Sequence, residues 1–383
     1  MQSDKFLILA DDCSLRLLDK PYAFNRRTDE LYEVDQTALS FLARCDGMSL
    51  MSDLDADPEF VSYCLGEGLL ETRRGRSKRH ILLPDRPGGL LRYLELQITG
   101  DCNLRCRHCY VSAGGGPEMP VLTVFRTLDQ FEGAGGLRLL ISGGEPLLHG
   151  RFWYLNERLS DYGFRSVLLT NGTLVTADAA RRLKVHEAQV SIDGIGRSHD
   201  TLRGRGSYEK ALGGITRMIG AGLPVSVATM VTRANMADFD TMGRLFEQLG
   251  VAEWNVDVPS PCGRMAENPD LMPDPAEAAG FLSYGFGGGF HGGPDGYACG
   301  AHLCTVGPDG RVAKCGFYMD RPAGSIEEGL LTCWDRIKPV PLSSLSCNCE
   351  YLDDCRGGCR YRAAVYSEEF GPDPVRCRAN GVI

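Results

Sequence analysis

Cys102, Cys106 and Cys109 lie in the run CNLRCRHC, three thiols at C-x-x-x-C-x-x-C spacing. Three thiolates on one short loop can hold three corners of a cubane iron–sulfur cluster. With no fourth cysteine nearby, one iron would keep an open coordination position, which separates a catalytic metal centre from a structural one. The alternative is zinc with His108 as fourth ligand, but His108 adjoins Cys109 and would crowd a tetrahedral site. Eight further cysteines of the chain's 16 fall in motif-like groups near the C-terminus: CGAHLCTVGPDGRVAKC (residues 299–315), CNCEYLDDCRGGC (residues 347–359) and Cys377. In a reducing cytosol, clustered cysteines bind metal or do chemistry rather than form disulfides. The remaining five (Cys13, Cys45, Cys64, Cys262, Cys333) are scattered and read as small buried hydrophobes.

The elements that must position the first cluster run from Arg92 to Pro259. Six apolar, β-rich segments (YLELQIT, LRLLISG, RSVLLTNG, AQVSIDG, PVSVATMVT, EWNVDVP) alternate with helical stretches such as YEKALGGITRMIGAG and MADFDTMGRLFEQLG. Strands separated by helices imply parallel pairing through right-handed crossovers. Six units fall short of a closed eight-unit barrel, so an α/β partial (β/α)6 TIM-like barrel is expected, with an open doubly wound sheet as the alternative. The cysteine loop follows the first strand, on the face where such barrels carry active sites. Ser142-Gly143-Gly144-Glu145-Pro146 ends the second strand, Thr170 and Asn171 the third, Ser191 and Asp193 the fourth. The glycines allow close backbone approach to a ligand. Asp257 ends strand six and would point toward the mouth.

These features resemble the radical S-adenosylmethionine (SAM) superfamily from about Tyr93 onward. The resemblance implies a 4Fe–4S cluster whose open iron binds the amino and carboxylate groups of SAM, and cleavage of SAM to a 5′-deoxyadenosyl radical that abstracts a substrate hydrogen. It further implies that Glu145 offers its carboxylate to the SAM ammonium and that Tyr110 lies beside adenine. Ser191 and Asp193 would contact the ribose and methionine moiety. Arg203 (in HDTLRGRG) would pair with the SAM carboxylate, a task suited to a fork-shaped guanidinium; a surface salt bridge is the plain alternative. Val231 on strand five packs on adenine or is an ordinary core valine.

The tail resembles the SPASM extension, which binds two auxiliary 4Fe–4S clusters, making three clusters in all. The element C-x(9–15)-G-x4-C is met by Cys299, Gly310 and Cys315. The usual C-x2-C-x5-C-x3-C is shortened by one residue to C-x-C at Cys347 and Cys349, with Cys355 and Cys359 in register. By family connectivity, Cys299, Cys304, Cys315 and Cys359 hold one auxiliary cluster, and Cys347, Cys349, Cys355 and Cys377 the other. Neither would then be open, and both would pass electrons. A zinc ribbon–like tail is the alternative.

Residues 1–85 form a small winged-helix-like α+β unit with strand candidates KFLILA, YAFNRR and ELYEV, followed by two helical stretches. In the order of its elements it resembles the PqqD-like peptide-recognition domain, which binds a leader peptide by strand addition to a sheet edge; a packing module is the alternative. The basic run RRGRSKRH (residues 73–80) reads as solvated linker. Residues 86–260 would form the barrel, residues 261–298 a Gly-rich bridging linker or mobile loop, and residues 299–383 the cluster-binding tail.

The charge of −9, with 43% hydrophobic residues, argues against general nucleic-acid binding. No segment reads as a signal peptide or membrane span, so a cytoplasmic location is expected. The expected function is a peptide maturase acting on a ribosomally made precursor, with a flavodoxin or ferredoxin-type reductant. Thioether formation leads, with carbon–carbon cross-linking or epimerisation as alternatives. A sulfatase-type formylglycine maturase is a further enzyme reading. A multi-cluster electron carrier would need no SAM pocket.

Overall fold

The computed structural model describes residues 5–55, 57–83 and 90–383. Six short strands open the chain: β1 (Phe6–Leu9), β2 (Cys13–Leu17), β3 (Pro21–Asn25), β4 (Glu30–Glu33), β5 (Asp46–Leu50) and β6 (Leu70–Arg73). They form two antiparallel sheets, ordered β5-β1-β6 and β2-β3-β4. Helices Gln36–Arg44 and Pro58–Gly66 pack on them. Asp35 caps the first by accepting from Ala38 N at 2.7 Å, and Pro58 at the first turn of the second needs no N–H partner. Leu7, Leu15, Leu42 and Cys64 close a core of their own. The basic run is not simply solvated. Arg79 donates to the carbonyls of Leu9 (2.5 Å) and Cys13 (2.7 Å), clamping the β1–β2 turn.

Six parallel strands follow: β7 (Tyr93–Thr99), β8 (Arg138–Gly143), β9 (Arg165–Thr170), β10 (Glu187–Ser191), β11 (Val225–Met230) and β12 (Glu253–Asp257). They pair in chain order. Helical segments connect them, notably Val121–Gly133, Ser207–Gly220 and Phe239–Leu249. On β7 the alternation is clean: Leu94, Leu96 and Ile98 enter the core shared with the helices, while Glu95 and Gln97 take the other face.

The tail departs from expectation. Instead of a segment with little periodicity, β13 (Leu303–Val306), β14 (Arg311–Ala313) and β15 (Gly324–Ser325) extend the same sheet to nine strands. β13 pairs in parallel with β7, Cys304 opposite Leu94 and Thr305 opposite Glu95. Helix Leu330–Arg336 packs Leu330 and Cys333 into the barrel core. The region 261–298 is not a bare linker either. It carries turns Gly263–Met265 and Pro269–Leu271 and helix Pro275–Ala279. Phe281 and Tyr284 then pack at a tilt on Phe239, with ring centroids 4.7 and 5.3 Å apart.

The front unit docks on the β2-β3-β4 side through buried charge. Arg16 pairs with Glu132 at 3.2 Å, Arg92 with Asp19 at 2.5 Å, and Arg138 with Asp29. Arg165 donates to the carbonyls of Arg26 and Arg27, both at 2.9 Å. Removing one partner of such a pair strands a buried charge at a cost of about 3–5 kcal/mol. Among the described residues no helix is long and apolar enough to cross a membrane.

Candidate functional site

A cavity of about 240 Å³ lies at the C-terminal ends of the parallel strands, and Cys102, Cys106 and Cys109 all line it. The cysteine loop is held from three sides. Gly144 brings the second-strand turn so close that a Cβ there would lie 2.0 Å from the Asp101 carbonyl oxygen. At Gly263, with φ +53°, a Cβ would meet the carbonyl oxygens of Cys109 and Tyr110 at 2.4 Å; both positions require glycine. From the same turn, the buried Arg264 donates Nε to the Cys106 carbonyl (2.8 Å) and a terminal nitrogen to that of Ala113 (2.9 Å). Asn268 Nδ2 donates to the Arg107 carbonyl at 3.1 Å.

The donors aimed at the sulfurs suit thiolates. Leu104 N–H points at Cys102 Sγ (3.4 Å), and an Arg203 guanidinium nitrogen lies 3.9 Å from Cys106 Sγ. Burial pushes the Cys102 thiol up to about 11, so ligation to iron would have to release its proton. Among the described residues no three His, Cys, Asp or Glu side chains converge as the ligands of a single ion would. Thiols bound to different irons of a cubane need not converge so tightly. His108 Nε2 is engaged with Asp193 at 2.9 Å, and its Nδ1 is buried without a hydrogen-bond partner.

The structure sorts the other expected residues. Tyr110, Ser142, Gly143, Gly144, Thr170, Asn171, Ser191 and Arg203 line the cavity. Glu145, Pro146, Asp193 and Val231 do not. Glu145 is fully buried. It accepts from Thr170 Oγ1 and Asn171 N, each at 2.8 Å, joining the turn after β8 to the end of β9. Its carboxylate is therefore engaged by the protein itself, and burial pushes its pKa upward. Pro146 starts a buried single turn. Val231 lies wholly in the apolar core; Ala228 and Met230 reach the cavity in its place.

Asp193 is also wholly buried. It accepts from Arg203 Nε at 2.5 Å and from Met230 N at 2.8 Å. Burial opposes its charge, but Arg203 and His108 outweigh it and hold the carboxyl well below the usual range. Asp193 thus orients Arg203 rather than reaching a ligand. Asp257 pairs with Arg362 of the tail at 3.0 Å.

Glu95 is a cavity residue that the sequence did not single out. It projects from the middle of β7, and its carboxylate accepts from Tyr110 Oη, Ser142 Oγ and Thr305 Oγ1, each at 2.8 Å. Its only signal was one charged residue in an apolar strand at an inward position. Gln189 on β10 carries the same signal, and Phe317 of the tail closes one wall.

The tail cysteines form two groups. Burial, and after it Cys355 and Cys349, raise the Cys347 thiol pKa; burial, Cys347, Asp373, Cys355 and Cys349 raise that of Cys377. These four are neighbours. Burial pushes Cys315 up to about 12, with Cys299 and Cys359 adding to the shift. Cys304 is fully buried in the sheet core with Cys333, and burial, with Cys333 and Glu95 after it, raises its thiol pKa. Cys304 was expected beside Cys299, Cys315 and Cys359; it sits instead on the strand face of Leu94, opposite in the β13–β7 pair. β13 carries its thiol to the opposite face of the sheet.

Residues 96–246 match the Radical SAM superfamily. An "AdoMet-dependent heme synthase" of Nitratidesulfovibrio vulgaris is 33% identical over 49% of this chain and 53% of its own length. The match to that of Oleidesulfovibrio alaskensis spans 47% of the relative, so the chain spans about half the length of these two. "Mycofactocin maturase MftC" of Mycobacterium tuberculosis is 28% identical over 73% of this chain and 81% of its own. Streptococcus suis SuiB bound to precursor peptide SuiA superposes with TM-score 0.69 at 14% identity, over 96% of this chain and 98% of that one. AdoMet-bound anSMEcpe with the Cp18Cys peptide gives 0.57 at 16%, over 76% and 95%. At these identities the structural likeness shows the fold.

Proposed function

We propose that this chain, whose residues 96–246 match the Radical SAM superfamily, is a radical SAM enzyme and a maturase acting on a ribosomally made precursor peptide, with thioether formation as the leading chemistry. The observation that carries SAM chemistry is the meeting of three cysteines, Arg203 and Tyr110 in one cavity at the strand ends. Cys102, Cys106 and Cys109 would hold the 4Fe–4S cluster. With SAM bound there, the cluster supplies a 5′-deoxyadenosyl radical for hydrogen abstraction from the substrate. Arg203, fixed by Asp193, keeps guanidinium nitrogens facing the cavity for a carboxylate. Tyr110, its hydroxyl tied to Glu95, offers a ring at the cavity wall. The residues from Gly263 to Asn268 keep the cysteine loop from shifting.

Support for a peptide substrate comes from the front unit. The β2-β3-β4 sheet docks on the barrel through β2, whose Ser14 Oγ donates to the Gly163 carbonyl at 2.9 Å. β4 is the opposite edge and, among the described residues, pairs only with β3. Tyr32 on β4 meets the exposed Tyr63 edge-on, with ring centroids 6.4 Å apart, beside an edge where a strand could add. MftC is named a maturase, and SuiB was crystallised with its precursor peptide. Electrons would come from a flavodoxin or ferredoxin-type donor through the tail clusters. Carbon–carbon cross-linking and epimerisation use the same machinery and differ in product.

The sequence relatives named heme synthases favour a second reading with a haem precursor as substrate; the Methanosarcina barkeri relative aligns over 96% of its length at 26% identity. The test is anaerobic turnover of the reconstituted enzyme with SAM. Precursor peptides encoded beside its gene should stimulate 5′-deoxyadenosine release, and the peptide should lose two hydrogens in mass on cross-linking. Stimulation by a haem precursor alone would overturn the peptide reading.

A further inference from the structure

Glu95 carries the one carboxylate among the described residues that line the cavity, and its two oxygens are unequally engaged. Oε1 accepts from Tyr110 Oη and Ser142 Oγ, each at 2.8 Å, and from Gln97 Nε2 at 3.1 Å. Oε2 accepts from Thr305 Oγ1 at 2.8 Å. An ionised carboxylate offers about four acceptor positions, shared between its oxygens, so Oε2 keeps room for a further donor. Gly316 preserves that room, because a Cβ there would lie 3.2 Å from Oε2.

These four donors are all neutral. They fix the carboxylate in place without cancelling its charge, and a charge withdrawn from water without a counter-ion is costly to keep. The guanidinium groups at the cavity are committed elsewhere: Arg264 to the carbonyls of Cys106 and Ala113, Arg203 to Asp193 at 2.5 Å. Depth also separates Glu95 from the cysteine loop. It precedes Thr99, the last residue of β7, by four positions, about 13 Å along a strand. Gln189 holds a similar mid-strand place on β10 and lines the same cavity. With the cysteine loop and Arg203 given to SAM, these mid-strand groups are left for the second reactant.

We propose that Glu95 is the substrate-selecting charge of the cavity: its Oε2 takes a protonated nitrogen of the substrate, an amine or a guanidinium, and its charge turns a carboxylate away. For a peptide this means a lysine or arginine side chain in the chamber where hydrogen is abstracted. The inference rests on the SAM site proposed above. It also weighs against a haem precursor, whose carboxylate side chains would meet Glu95.

The test uses the reconstituted full-length holoenzyme with SAM and no reductant, so that SAM stays intact. Three probes of matched length, n-pentylammonium, 1-pentanol and valerate, are titrated by saturation-transfer NMR at physiological salt, which screens attraction to the outer surface. The wild-type protein should bind the ammonium at least about tenfold more tightly than the alcohol, and valerate most weakly. In Glu95→Gln the ammonium advantage should fall to about twofold or less, and in Glu95→Asp it should persist. Equal affinity of the wild-type protein for the ammonium and the alcohol would overturn the proposal without recourse to any variant. So would an ammonium preference that survives in Glu95→Gln; a loss of SAM affinity in that variant with the preference intact would assign the charge to SAM instead. The probes are neither peptide nor porphyrin, so this result and the turnover test above can fail independently.

Discussion

Arg264 and Asp193 do their work one bond away from the cavity ligands. Arg264 gives two charge-assisted bonds to carbonyls of the cysteine loop, each worth about 1.5–3 kcal/mol. Arg264→Ala should therefore lower iron retention at the first cluster while sparing the auxiliary clusters, as iron analysis and EPR would show. Asp193→Asn leaves Arg203 buried without its counter-charge. SAM affinity should fall by at least tenfold, about 1.4 kcal/mol, read by equilibrium binding. The cysteine trio was legible because thiolate chemistry demands a spacing. Arg264 was not, since an arginine followed by MAENPD has no periodicity to declare what it holds. Glu145 was legible as a motif, but its bonds to Thr170 and Asn171 were not, because sequence does not show that a carboxylate joins two strand ends.

At the level of elements, alternating strands and helices were readable wherever the β-run was unbroken; YLELQIT matches β7 to the residue. β2 escaped because Ser14 and Arg16 interrupt its apolar run, yet both are inward docking residues. β13 escaped because its short run carries a cysteine that reads as a ligand. The proposed use of the β4 edge gives a test. Tyr63 is 51% exposed, so Tyr63→Ala should barely alter stability. It should weaken precursor-peptide binding about tenfold, about 1.4 kcal/mol, while 5′-deoxyadenosine formation without peptide stays the same; fluorescence anisotropy with labelled leader would measure the first.

For the molecule as a whole, acid should be destabilising before the carboxylates titrate. Burial holds His186 and His199 down to about 4. Each uses Nδ1 to accept a backbone N–H, from Ser166 at 3.0 Å and Asp193 at 3.2 Å, which protonation would forbid. The unfolded chain would take up these protons near pH 6.5, the folded chain only near 4. Stability is thus whole above about 6.5 and is lost as pH falls through that window, at up to about 1.4 kcal/mol per unit per histidine. Urea midpoints at pH 7 and pH 5 should show the fall, and His186→Gln should make it shallower.

The pairing of β13 with β7 joins residues 210 positions apart in the chain, as the Glu95–Thr305 bond records. During synthesis, the edge of β7 away from β8 must wait with its backbone donors and acceptors bare until nearly four-fifths of the polypeptide has left the ribosome. A truncated translation product ending short of that point would present an unsealed, sticky border to other nascent chains. The thiol-rich final segment therefore serves the fold itself, as the closing seam of the parallel sheet.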